Sequence, residues 1–268
     1  MPQKETIVHA RHRARIGTSG WQYEHWRGLF YPPAINRRDW FRFYADRFDT
    51  VEINNTFYNL PSESVFDSWR ARAPENFLFA LKFSRYGSHY RRLLEPQASI
   101  DAFVDRARRL EEHLGPILVQ LPPRWKADAI RLSAFLDAAP STMRWAVEFR
   151  DPSWLCEPVY EVLRSHGAAL CIHDMIQDHP RVVTTSWTYL RFHGTHHAGD
   201  YDRRSLTVEA GRIGGLLEQG LDVYAYFNND GGGHALHNAE DLREMTPARM
   251  DEKSGEQSRT EPRLRFGG

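Results

Sequence analysis

A chain of 268 residues, 41% of them hydrophobic, is long enough to bury one large core, and chains of this size form a single α/β barrel or divide in two. Its 35 basic and 35 acidic residues cancel, which excludes a global field that would draw it to nucleic acid or to an anionic membrane. No apolar run reaches the length of about 18 residues that a membrane-spanning helix needs, and two cysteines, Cys156 and Cys171, are too few for a disulfide framework or a Cys-based zinc motif.

The opening MPQKETIVHARHRAR lacks the apolar core of a signal peptide, so the expectation is a soluble, cytoplasmic protein with a flexible arm over residues 1–13. The first β-prone run is ARIGT, from Ala14. It leads into TSGWQYEHWRGLFYPPAIN, which is long, aromatic and broken by two prolines, and predicts a structured lid over one mouth of the fold. Seven further runs follow: TVEIN (Thr50), FLFALKF (Phe77), PILVQL (Pro116), RWAVEF (Arg144), AALCIH (Ala168), TYLRFH (Thr188) and DVYAYF (Asp222). Helical patterns separate most of them. DAFVDRARRLEEHL places Phe103, Ala107, Leu110 and Leu114 on one stripe, and AIRLSAFLDAA repeats the pattern. VYEVLRSHG closes at Gly167 and LTVEAGRIGGLLEQG at Gly220. DMIQDHPRVVTTSW, from Asp174 to Trp187, carries no convincing helix. From Thr246 the chain is polar and aperiodic, so residues 246–268 are expected to be a disordered tail. Eight strand units in roughly 230 residues predict a single-domain, TIM-like (β/α)8 barrel over residues 14–245.

In such a barrel side chains alternate between the lumen and the helix layer. If the apolar parity faces the helices, Val51, Ile53, Phe79, Leu81, Phe83, Trp145, Val147 and Phe149 point outward. The opposite parity then sends Glu52, Asn54, Lys82, Gln120, Glu148, Arg150, His173, Arg191, His193 and Asn228 inward. These groups gather at the C-terminal strand ends, where barrel active sites lie. The bland alternative is a buried ion-pair network with no ligand.

After the last strand, NNDGGGHALHNAEDL joins a buried run to a helix through amides, a carboxylate and three glycines. A turn with a helix cap accounts for it. So does an anion site, in which Asn228, Asn229 and Asp230 line a volume reached by the backbone of Gly231, Gly232 and the helix start.

GTSGWQYEHWRGLFYP, TVEINNTFYNLPS, FLFALKFSR, LVQLPPRW, AVEFRDPSW, CIHD, YLRFHG and YAYFNNDGGGHALHNAEDL, in this order, resemble the YecE-like domain-of-unknown-function family 72. The resemblance covers about Ala14 to Met245. It implies a TIM-like barrel and no established reaction.

The predicted function is that of an enzyme acting on a small anionic molecule, such as a phosphorylated sugar or a nucleotide-like compound. Lys82, Arg150 and Arg191 outnumber Glu52 and Glu148 in the pocket. Glu148 and His193 are the leading candidates for general acid or base, with Glu52 and His173 next. Trp21, Tyr23 and Trp26 offer faces for a base or a sugar. Loss of Lys82 or Arg191 is expected to spare the fold and weaken anion binding. A second reading is a nucleic-acid binding or metal-dependent processing protein drawing ligands from Glu52, Glu148, His173, Asp174, His193 and Asp230. A third is a non-catalytic ligand-binding barrel. The sequence assigns no cofactor and no metal, and it leaves the oligomeric state open.

Overall fold

The computed structural model describes residues 13–194 and 199–246; the expected N-terminal arm, apart from Arg13, and the tail beyond Thr246 lie outside them. The eight apolar runs are eight strands: β1 (Ala14–Thr18), β2 (Thr50–Ile53), β3 (Leu78–Lys82), β4 (Leu114–Gln120), β5 (Trp145–Glu148), β6 (Ala169–His173), β7 (Trp187–Phe192) and β8 (Asp222–Phe227). They form one sheet in the order β1-β8-β7-β6-β5-β4-β3-β2, and every paired neighbour is parallel. Its helices are α1 (Trp40–Ala45), α2 (Asn55–Tyr58), α3 (Glu63–Arg72), α4 (Pro96–Ala107), α5 (Ala129–Ala138), α6 (Glu157–Ser165), α7 (Arg203–Glu218) and α8 (His234–Met245). The connection from β6 to β7 carries no helix, in line with its sequence.

The closing seam lies between β1 and β2, which share only the bridge from Ser19 to Glu52. A side chain completes it. The Tyr44 hydroxyl accepts from the Thr18 amide at 3.1 Å and donates to the Thr50 carbonyl at 3.1 Å, so one buried phenol satisfies two groups that a sheet ladder would have paired. The close approach needs glycine, because a Cβ on Gly17 would sit 2.4 Å from the Thr50 oxygen.

Parity divides the apolar residues into two cores. Val51, Ile53, Phe79, Leu81, Phe83, Val147, Phe149, Ile172 and Phe227 pack in the large outer core with the helices. Ala80, Leu118, Ala146, Ala169, Cys171, Trp187, Tyr189, Tyr224 and Tyr226 fill the lumen. Large rings from β7 and β8 thus face alanines from β3, β5 and β6, and this floor supports the polar residues at the C-terminal strand ends.

One helix differs from its sequence pattern. The α4 segment ends at Ala107, residues Arg108–His113 form a 3-10 stretch, and Glu111 takes φ 49°. Leu114, expected on the helical stripe, instead opens β4 opposite Phe79. Pro116 explains this, because a proline two residues on can neither extend a helix nor let its predecessor stay helical.

Candidate active site

Arg191 ties two buried carboxylates together. Its Nη2 donates to Glu52 Oε1 at 2.8 Å and its Nη1 to Glu148 Oε2 at 2.6 Å, and none of the three residues is more than 1% exposed. Ser19 Oγ and the Tyr189 hydroxyl complete the shell of Glu52 at 2.6 and 2.7 Å. Gln120 Nε2, at 2.8 Å, and Arg150 Nε both donate to Glu148 Oε1. Burial opposes ionisation of both acids, but Arg191 and these donors outweigh it, holding Glu52 below the ordinary carboxylate range and Glu148 well below it. Both stand as carboxylates with no proton to give.

This arrangement also alters the expectation for Arg191. Both terminal nitrogens of its guanidinium are committed to protein acceptors, so its first duty is to keep Glu52 and Glu148 from facing each other uncompensated.

His193 is fixed in one tautomer by its neighbours. Its Nε2 lies 3.1 Å from Arg150 Nη2 and 3.2 Å from Arg191 Nη1. A guanidinium only donates, so Nε2 carries a lone pair and the proton resides on Nδ1, 3.0 Å from Asp174 Oδ1. Asp174 also accepts from the His193 amide and the Tyr201 hydroxyl. Burial, against the pull of Asp174, keeps the imidazole pKa below its ordinary value. His173 differs. Its Nε2 donates to the Phe149 carbonyl at 2.7 Å and its Nδ1 accepts from the Met175 amide at 3.1 Å. Burial lowers its pKa to about 4, so it is a neutral strut with neither ring nitrogen free for substrate.

Lys82, only 7% exposed, forms no hydrogen bond or ion pair through Nζ among the described residues; the amine lies 4.3 Å from the Phe57 ring centroid. Burial first, then the Arg191 charge, brings its pKa down to about 8. His89 packs edge-on to the same ring, and burial with the nearby Lys82 charge lowers its pKa to about 4. On the rim beyond, Tyr58, Tyr86 and Tyr90 are 71%, 59% and 67% exposed.

The remaining expected residues spread around this centre. Asn54 lines a cavity of about 150 Å³ with Trp21 and Tyr23, and its buried Oδ1 has no partner. Trp21 lies chiefly in the outer core against Phe41, Trp69 and Phe79, because those rings offer its indole more apolar contact than the polar lumen does. Asn228 pairs through its amide with the Phe192 carbonyl. Asn229 turns away to Asn238 and Gly199. Asp230 neither caps α8 nor faces the lumen: its Oδ1 takes the Trp26 indole N–H at 2.6 Å and its Oδ2 lies 2.9 Å from His25 Nε2. The carboxylate thereby pins the aromatic loop after β1. Gly231 begins a three-residue turn, and Gly232 and Gly233 adopt φ of 73° and 84°, a backbone that favours glycine whatever lies outside it. No side chain caps α8.

Two larger clefts flank the lumen. One of about 660 Å³ runs from His173, Asp174 and Arg191 to Tyr201 and Arg204. The other, about 650 Å³, lies on the opposite face among Arg13, Arg15, Arg108 and Arg144, where Asp49 and Asp222 pair with Arg15 and Arg144. Among the described residues no three His, Cys, Asp or Glu side chains are grouped to hold a metal ion, and no helix is long and apolar enough to cross a membrane. Sequence reasoning did not find Ser19, Tyr189 and His89. The first two share the inward parity of their strands but carry weakly polar hydroxyls, and His89 lies in a loop without period.

The fold and its charged mouth define a TIM-like barrel with an acid–arginine–acid centre. The chain belongs to the family described as "Protein of unknown function DUF72", whose model matches residues 15–263. It is similar to the UPF0759 protein YunF of Bacillus subtilis, with 25% identity in an alignment of 266 positions, gaps included, that covers 86% of this chain and 93% of that one. The crystal structure of a family member from Thermotoga maritima superposes with a TM-score of 0.79 at 27% identity, covering 87% of this chain and 99% of the other. One from Enterococcus faecalis gives 0.75 at 21%, covering 91% and 99%.

Proposed function

We propose that the C-terminal mouth binds a small anionic molecule, a phosphorylated sugar or a nucleotide-like compound, and acts on it by proton transfer. The observation that carries this reading is Lys82, a buried cation without a counter-charge of its own. Glu52 and Glu148 are engaged by Arg191 and Arg150, so an anion entering the mouth would supply the missing partner. His193 Nε2 is the base in this scheme. An anion that draws Arg150 toward itself removes the shorter of the two guanidinium contacts on the Nε2 lone pair and leaves only that of Arg191 at 3.2 Å, while Asp174 stabilises the imidazolium that forms.

Thermal melts with inorganic phosphate, sugar phosphates, nucleoside monophosphates and divalent metals test the reading. A phosphorylated compound should raise the melting temperature of the native chain and do so much less in Lys82→Met. Equal shifts in both proteins, or none in either, would remove the anion site. With a hit in hand, His193→Asn should keep the shift and lose turnover; if no compound is turned over, the mouth is a ligand-binding site only.

A second reading has its own observation. Exposed Tyr86 and Tyr90 lie in one segment with Arg85, Arg91 and Arg92, Arg85 lies 5.1 Å from the Tyr90 ring, and exposed Tyr58 packs on Phe57, which His89 of that segment also meets, a combination of stacking faces and cations suited to single-stranded nucleic acid. Short single-stranded DNA and RNA therefore belong in the same screen.

A further inference from the structure

The chain contains four lysines, Lys4, Lys82, Lys126 and Lys253, and every other one of its 35 basic residues is arginine. The mouth follows this habit at Arg150 and Arg191 but not at residue 82. If position 82 needed only a permanent positive charge, arginine would serve, and its planar fork suits carboxylate or phosphate better. What lysine adds is a nitrogen that can lose its proton and become a nucleophile.

We propose that Lys82 forms an imine with a carbonyl compound that also carries a carboxylate or phosphate, the anionic group being held by Arg150. The inference rests on the anion-binding reading of the mouth and specifies its chemistry. The Nζ lone pair adds to the carbonyl carbon. Both N–H protons of the neutral amine end on the former carbonyl oxygen, one on addition to give a carbinolamine and one on dehydration, and that oxygen leaves as water as the C=N bond forms. No oxidant, reductant or metal is required.

Three features of the site favour this step. Lys82 is more than nine-tenths buried, its amine lies against the face of Phe57, and among the described residues it is tied to no acceptor, so none of them need be displaced before it attacks. Both nearby carboxylates are bound to arginines, and their pull toward the ammonium form is outweighed by burial and the Arg191 charge. At pH 8 roughly half of an amine with a pKa of about 8 is unprotonated, against well under 1% of an ordinary lysine at 10.5.

Borohydride trapping reads the step directly. The full chain is incubated at pH 8 with glyoxylate, an anionic aldehyde, or with butyraldehyde, an uncharged one, together with sodium cyanoborohydride, and the modified lysines are located by peptide mass mapping. Lys126, whose side chain is 81% exposed, is the internal control. Labelling of Lys82 by glyoxylate is expected to be more than about tenfold faster than labelling of Lys126, and the preference should shrink with butyraldehyde. Inorganic phosphate should protect Lys82 and not Lys126. Lys82→Arg should keep the phosphate-induced thermal shift and lose the adduct. If glyoxylate labels Lys82 no faster than Lys126, the imine is ruled out; a phosphate-induced shift surviving in that case leaves the anion site standing, and its absence removes both. The measurement on the native chain does not depend on any variant folding.

Discussion

Arg191 holds the charged centre together, and its removal exposes what the site costs. Arg191→Met would leave Glu52 and Glu148 buried, with no cation bridging them, and such a loss typically costs about 3–5 kcal/mol. Urea unfolding at pH 7 should show that loss, whereas Arg191→Lys, which keeps one charge but not two forked donors, should fall between. A variant as stable as the native chain would mean that the two acids are not held by Arg191. Residues of this centre were legible because strand parity has a period of two: once Val51 and Ile53 are assigned to the helices, Glu52 must face the lumen, and the same holds for Lys82, Glu148 and Arg191. Parity says which face a side chain takes and nothing of what it meets there. That Arg191 reaches both acids, or that the nitrogens of His173 are used by the Phe149 carbonyl and the Met175 amide, depends on the stagger between strands that lie far apart in sequence.

At the level of elements, the eight strands were readable from their apolar runs, while the seam that closes them was not. Tyr44 sits on α1 in a run, WFRFYA, whose aromatic residues all look like core, and it is the packing of α1 on the sheet that brings its hydroxyl between β1 and β2. Tyr44→Phe keeps the ring and deletes the oxygen, leaving the Thr18 amide and the Thr50 carbonyl short of a partner. Each unsatisfied buried group costs about 1–3 kcal/mol, so chemical denaturation should show a loss of at least that size, with amide exchange fastest along β1 and β2. Gly17→Ala should damage the same seam, since its Cβ would press on the Thr50 carbonyl 2.4 Å away. Protection factors unchanged at β1 and β2 in both variants would mean that the seam closes without the phenol. Helix α4 shows the opposite limit of sequence reading: its apolar stripe continues past Ala107, yet strand β4 claims Leu114, because pairing with β3 and the proline at residue 116 outweigh local periodicity.

Across the whole molecule, the lumen changes character along its axis, from the rings of Trp187, Tyr189, Tyr224 and Tyr226 on the floor to ions and imidazoles at the mouth. Burying neutral histidines there makes the fold sensitive to acid. His173 has a pKa of about 4 in the folded chain against an ordinary 6.5, chiefly because burial disfavours its charged form. With the folded value depressed, the unfolded chain binds more protons between pH 6.5 and pH 4. The stabilising contribution is therefore complete above pH 6.5 and is lost as pH falls toward 4. At about 1.4 kcal/mol per pKa unit, His173 alone accounts for on the order of 3 kcal/mol over that window. His89 adds to it in the same direction, with the same folded value of about 4. His173→Gln retains an N–H donor for the Phe149 carbonyl and cannot titrate. Urea midpoints measured at pH 7 and pH 4 should thus fall less steeply with acid in this variant than in the native chain, and parallel losses would show that protonation of His173 does not drive the acid unfolding.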